Sequence, residues 1–163
     1  MSGVTRFSSL CIASVLAGSI AAPASAQHVA LPLTERARTA ERVVVGRVAA
    51  VDPVWQVNEF GDRLIVSTLR VAVEETLKGQ REPSVNVEVE GGTIGDLTLR
   101  VSDLESFVPG DRAVFYLRRG ARDAFFPHRR GESLLKIDRF DRVAGSALTL
   151  ADIRRSVAGA AAR

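Results

Sequence analysis

The chain has 163 residues, of which 46% are hydrophobic and 25% charged, and its formal net charge is +3. This composition is typical of a globular protein and excludes collagen, low-complexity disorder and a coiled coil. The length allows one domain with its own core, but not comfortably two. Because Cys11 is the single cysteine, the chain has no intramolecular disulfide framework and no zinc site built on several thiolates.

Residues 1–26 are predicted to be a secretory signal peptide. They contain one base, Arg6, and no acid, and an apolar run of about 13 residues follows that base. Ala24 and Ala26 stand where small residues precede a cleavage site, and an uncleaved anchor is the alternative. That run is shorter than the roughly 20 apolar residues that span a bilayer. We therefore expect an exported protein, periplasmic or secreted, with no cysteine and no membrane span after cleavage.

The segment 27–41 is predicted to contain a short helix. Thr34 can cap this helix, and Pro32 lies just outside it. The β-branched and apolar run 42–51 then predicts a buried strand that ends at Asp52-Pro53.

Alternating apolar and polar residues predict the strands that follow. The clearest run is 84–90, where Val85, Val87 and Val89 face one side and the residues between them are polar. The other predicted strands cover residues 64–77, 97–101, 112–117 and 133–138. Short strands without helices between them favour an antiparallel sandwich or barrel, and the long strand 64–77 favours the barrel.

Residues 149–163 are predicted to form a C-terminal helix with a frayed end. Thr149 and Asp152 have the spacing of a capping box, and Leu150, Ile153 and Val157 share one face. The predicted fold is therefore mainly β: a small antiparallel OB-like β-barrel over residues 42–148, flanked by an N-terminal and a C-terminal helix.

The order of several motifs resembles a known family. The motifs are residues 40–48, 73–79, Gly91-Gly92, and 107–111 followed by 114–117. In this order they are similar to exported bacterial domains of unassigned function and, more distantly, to the netrin-like domain of tissue inhibitors of metalloproteinases. The resemblance implies an OB-like barrel with flanking helices. In those inhibitors an N-terminal cysteine binds the protease zinc, whereas the predicted mature start here is Gln27-His28, so the inhibitory activity does not carry over.

Candidates for catalysis are few. The sequence has no metalloprotease, serine-hydrolase or phosphate-loop motif, and we expect no metal and no cofactor. His28 and His128 are the only histidines, and a terminal His28 is typically mobile. A hydrolase that uses His128 with a nearby acid, Asp123 or Asp111, is the enzymatic alternative.

Segment 118–130 has the most distinctive composition, because it combines five arginines with two adjacent phenylalanines. It predicts a basic hairpin whose arginines bind anionic groups and whose aromatic rings offer a contact face. The alternative is a solvated hairpin in which Phe125 or Phe126 plugs the barrel.

The loop 52–62, with the single tryptophan, is either a contact surface or a flap folded onto the core. The candidate binding residues are Arg118, Arg119, Arg122, Phe125, Phe126, His128, Arg129, Arg130 and Trp55.

These observations favour a non-enzymatic exported module that binds another macromolecule. The expected partner is another exported or envelope protein. A structural envelope role is a further alternative. A nucleic-acid partner is disfavoured, because the chain carries an export signal and its net charge after cleavage is only +2.

Overall fold

A computed structural model describes residues 31–120 and 124–162. The predicted mainly β fold with a helix near each end is confirmed. The predicted signal peptide, its cleavage site and His28 lie outside the described residues. In chain order the elements are α1 (Leu33–Thr39), β1 (Arg42–Val57), β2 (Arg63–Lys78), β3 (Ser84–Glu90), β4 (Gly92–Ile94), β5 (Leu97–Leu99), β6 (Arg112–Arg119), β7 (Phe125–Pro127), a 3₁₀ helix (Arg130–Ser133), β8 (Leu134–Lys136) and α2 (Leu150–Ala161).

Five strands close into a ring. The order around it is β1-β2-β3-β7-β6, and β6 pairs back onto β1. All of these pairings are antiparallel except β3 with β7, which is parallel and places Val87 opposite Phe125. Strand β8 adds to β6, and β4 with β5 forms a separate small hairpin.

The ring encloses an inner core made by alternate residues of its strands. Val85, Val87 and Val89 of β3 point inward, as the alternation predicts, and contact Leu69 and Val71 of β2. Their neighbours on β3 stay exposed or half-buried. A strand with one buried face needs this period of two, which is why the pattern identified β2 and β3.

A second core lies between the outer face of the ring and the two helices. Val43 and Val45 of β1, together with Val114 and Tyr116 of β6, are fully buried beneath the helices. Since β1 and β6 are covered on both faces there, their sequences are almost continuously apolar. Helix α2 contributes Leu150, Ile153 and Val157 and begins with the predicted capping box at Thr149, so both predictions for this helix are confirmed.

Two local predictions are wrong. Helix α1 already includes Thr34, and Pro32 occupies the cap position without a side-chain hydrogen bond. Strand β1 does not end at Asp52-Pro53 but runs on to Val57. Pro53 is tolerated inside the strand because β1 pairs only with β2 after Arg47, so that one side of the strand needs no backbone N–H. The three-residue strand β7 was not predicted from the pattern.

In the described part of the chain, no helix is long and apolar enough to cross a membrane.

Candidate binding surfaces

The β1–β2 ribbon extends beyond the ring and forms an arm, defined here as residues 54–65. The pairing of β1 with β6 ends at Arg47, and the pairing of β2 with β3 begins at Val66. Between these points β1 and β2 pair only with each other, for example Trp55 with Ile65. The predicted irregular loop 52–62 is therefore mostly a two-stranded ribbon.

The arm exposes four large apolar side chains. The exposed fractions are 47% for Val54, 41% for Trp55, 66% for Val57 and 80% for Phe60. The Arg63 guanidinium lies 4.8 Å from the centroid of the Trp55 ring. Trp55 and Val57 share one face of the ribbon and Val54 lies on the other, because strand side chains alternate. Exposed apolar side chains of this size make the arm a candidate contact site.

The turn of the arm is held by its own hydrogen bonds. The Asn58 side-chain oxygen accepts from the backbone amides of Phe60, at 3.0 Å, and Asp62, at 2.8 Å. Gly61 has a φ of 87°, a left-handed conformation that glycine adopts without strain. These contacts fix the backbone that presents Phe60 to solvent.

A cavity of about 360 Å³ opens at the root of the arm. Its walls include Val51 and Pro53 of β1 and Leu104 and Phe107 from the segment before β6. Gly92 and Ser67 also line this cavity, and they lie so close together that a Cβ on Gly92 would collide with the Ser67 hydroxyl oxygen. The sequence alone gave no signal for the cavity, whose walls are far apart in the chain.

Phe125 of the arginine- and phenylalanine-rich segment faces the inner core. Its side chain is 6% exposed, and the guanidiniums of Arg42 and Arg119 each lie 5.3 Å from its ring centroid. Arg42 itself is buried and bonds Glu82 at 2.7 Å. Phe125 and Arg42 therefore pack together at the end of the ring, where Nε and Nη2 of Arg42 have no hydrogen-bond partner among the described residues. The sequence did not indicate that Arg42, at the start of an apolar strand, would be buried there.

Arg130 links distant parts of the chain. Its guanidinium pairs with Glu90 at 3.1 Å and with Asp103 at 2.8 Å, and its backbone φ is 37°. These exposed pairs tie the end of β3 to the loop that follows β5.

The remaining candidate binding residues of this segment that the structure describes lie on the outer face of the ring, beside the end of α1. Arg118 pairs across the strands with Phe126, and its guanidinium is 5.5 Å from that ring. The His128 ring nitrogen Nε2 lies 2.9 Å from the Thr39 hydroxyl. Burial lowers the pKa of His128, and the nearby positive charges of Arg129 and Arg118 lower this pKa further.

The structure does not bring all predicted binding residues together. Trp55 lies on the arm, whereas Arg118, Phe126, His128 and Arg129 lie near the opposite end of β1, where Arg42 pairs with Leu117. Arg122 lies outside the described residues. The sequence did not identify Thr39, because helix α1 reaches His128 only in the folded chain.

The catalytic alternative remains a prediction. The Asp111 carboxylate accepts from the Val108 amide at 2.9 Å and pairs with Lys136 at 2.8 Å. Asp123 lies outside the described residues. Within residues 31–120 and 124–162, no group of three or more His, Cys, Asp or Glu side chains could hold a metal ion.

Comparison with known proteins does not assign the chain to a family. No protein-family model matches it, and a search of curated proteins finds no significant match.

Proposed function

We propose that this chain is an exported OB-like barrel module that binds another protein. The observation that carries this proposal is the solvent exposure of four large apolar side chains on the arm, which projects from a closed ring of strands. The proposal joins that surface to the sequence-based expectation of export.

The strand order supports the OB-like part of the proposal. Strands β1, β2 and β3 follow one another as neighbours, and β6 returns through a long connection to pair with β1. This is the order of a Greek key, and an OB-fold is a five-stranded Greek-key barrel. The five strands of the ring and the helices packed on its outer face agree with the resemblance stated above.

The chemistry of the arm favours a protein partner. Protein interfaces have an apolar and aromatic centre with a polar rim, and Trp and Arg are enriched among the residues that dominate binding. The arm offers this combination, because Trp55 carries Arg63 on its ring and Val57 and Phe60 lie close by in the chain. The outer face with Arg118 and Phe126 is a second contact region of the same module.

A matched pair of phenylalanines allows a direct test. Phe60 on the arm is 80% exposed, and Phe140, in a turn after β8, is 66% exposed. The tagged protein would be cross-linked and recovered from the native envelope and secreted fractions as wild type, as Val57→Ser/Phe60→Ser, and as Phe140→Ser. We expect wild type and Phe140→Ser to recover one specific protein in equal amounts. The arm variant should recover that protein in an amount about tenfold lower, or lower still.

The melting temperature of each variant serves as the folding control. Because these side chains are exposed, substitution should change the free energy of unfolding by less than about 0.5 kcal/mol. Equal recovery of every captured protein by all three forms would contradict binding through the arm.

A further inference from the structure

Arg118, His128, Arg129 and Thr39 form a surface that we call the cationic strip. Arg118 follows Val114 and Tyr116 in the row of alternate β6 residues that face outward. The His128 backbone amide donates to the Tyr116 carbonyl at 2.9 Å, which places His128 beside this row. Helix α1 covers Tyr116 and ends at Thr39, so the strip begins where the helix stops covering the sheet.

Among the described residues, ion pairs to carboxylates hold nine arginines, at positions 36, 38, 42, 47, 70, 112, 130, 154 and 155. Among those same residues, the two arginines of the strip differ from these nine and share the lack of such a pair with the arginines at positions 63, 81, 100, 139 and 142. Within the described part of the chain, neither Arg118 nor Arg129 has such a pair. Arg118 is instead stacked on Phe126, which orients its guanidinium and leaves its N–H donors available.

The charges around the strip leave it electropositive. The carbonyl end of α1 is already neutralised, because the Lys78 ammonium donates to the carbonyls of Ala37, Arg38 and Ala40 at 2.6–3.0 Å. Two carboxylates oppose the positive charges. Glu41 lies near His128 and also accepts the Arg119 backbone amide at 3.1 Å. Glu35 lies near Arg129, but it is already paired with Arg38 at 2.6 Å.

The pKa of His128 reflects this excess of positive charge around the strip. Burial and the positive charges of Arg129, Arg118 and Lys78 lower its pKa, and Glu41 only partly offsets them. An anion bound between the arginines would favour the protonated imidazole and raise this pKa.

We propose that the cationic strip binds a carboxylate of an acidic peptide segment, held between Arg118 and Arg129, with Thr39 and His128 as neighbouring polar groups. Guanidinium groups hold carboxylates through paired, charge-assisted hydrogen bonds. Two arginines without ion-pair partners in the described part of the chain suit a short acidic segment better than a nucleic acid, because a nucleic-acid-binding protein contacts roughly 6–10 phosphates. This inference deepens the proposed function and rests on it, because it gives the chemistry of part of the partner.

Short peptides test the strip without the partner. The probes are acetylated, amidated tetraglutamate, the matching tetraglutamine, and inorganic phosphate, each titrated into ¹⁵N-labelled protein at about 0.15 M ionic strength, where the Debye length is about 8 Å. Amide and arginine Nε–Hε resonances report where each probe binds, and the His128 ring reports its pKa. Tetraglutamate should perturb Arg118, His128 and Arg129 and raise the pKa of His128, whereas tetraglutamine should do neither.

Two double variants separate a specific site from general attraction. Arg118→Gln/Arg129→Gln should weaken tetraglutamate binding by about tenfold or more. Arg139→Gln/Arg142→Gln removes the same charge from another exposed surface, where Arg139 also stacks on a phenylalanine, 4.7 Å from the ring centroid of Phe140. Because distant exposed charges are screened, this control should weaken binding by less than about twofold.

Each other result overturns the inference. Equal losses in the two double variants would mean diffuse attraction to a basic protein. Binding of tetraglutamine as tight as that of tetraglutamate would exclude carboxylate recognition, and binding of phosphate alone would assign the strip to a phosphate group instead. Val57→Ser/Phe60→Ser should bind tetraglutamate normally, so failure of the strip and failure of the arm are distinguishable.

Discussion

Tyr116 shows how one buried side chain controls the response to alkaline pH. It is the single tyrosine, and it is fully buried between the sheet and the helices. Burial raises the pKa of its hydroxyl to about 12. An exposed tyrosine in the unfolded chain ionises near pH 10. The unfolded state therefore loses its proton first as the pH rises.

The stability contributed by neutral Tyr116 is fully present below pH 10 and is lost as the pH rises to about 12. The free energy of unfolding should fall by roughly 2–3 kcal/mol over this interval. Ultraviolet absorbance titration, run in buffer and in denaturant, measures both pKa values. Tyr116→Phe should remove this part of the alkaline loss. A folded protein whose tyrosine titrates near pH 10 would refute the argument.

Single residues were predictable from the sequence where burial follows a simple period. Val85, Val87 and Val89 are the clearest case, because a half-buried strand requires their alternation. The sequence did not indicate which of the adjacent residues Phe125 and Phe126 faces inward, since either ring could do so. The pairing of β7 with both β3 and β6, which places Phe125 opposite Val87 and Arg119, sets which one does.

Two glycines illustrate opposite demands within elements. Gly131 lies in the 3₁₀ helix, and a Cβ there would collide with the Asp103 carbonyl oxygen. Gly159 lies exposed in α2, and no heavy atom outside the helix itself lies within 4 Å of where its Cβ would be. Gly131→Ala should therefore lower the free energy of unfolding by roughly 1–3 kcal/mol. Gly159→Ala should raise it by up to about 1 kcal/mol, because alanine favours helix.

Urea denaturation of both variants checks this prediction. The midpoint should move to lower urea for Gly131→Ala and to higher urea for Gly159→Ala. A Gly131→Ala midpoint that stayed unchanged or rose would show that the backbone near Asp103 relaxes to accept a side chain, and a Gly159→Ala midpoint that fell would contradict the helix argument.

Elements with strong local signals agreed with prediction, whereas those defined by pairing did not. The spacing of Thr149 and Asp152 is enough to predict how α2 begins, because a capping box is a local interaction. Pro53 suggested the end of β1, yet pairing with β2 carries that strand on to Val57. Strand β7 has only three residues and exists because β3 and β6 both pair with it.

At the scale of the whole molecule, the cationic strip depends on closure of the ring. The cationic strip combines Thr39 of α1 with Arg118 of β6 and His128 just after β7, which are distant in sequence. The sequence indicated the arginines and the histidine by composition. It could not indicate Thr39, nor which arginines form ion pairs, because these contacts depend on long-range packing.

The central claim is that the arm contacts another protein, and site-specific photo-cross-linking in cells tests it most directly. A photoreactive phenylalanine would replace Phe60 on the arm or, as the control, Phe140, since both are exposed phenylalanines. The account predicts a covalent adduct with one specific protein from position 60 and none with that protein from position 140. No adduct from position 60, or the same adducts from both positions, would contradict it.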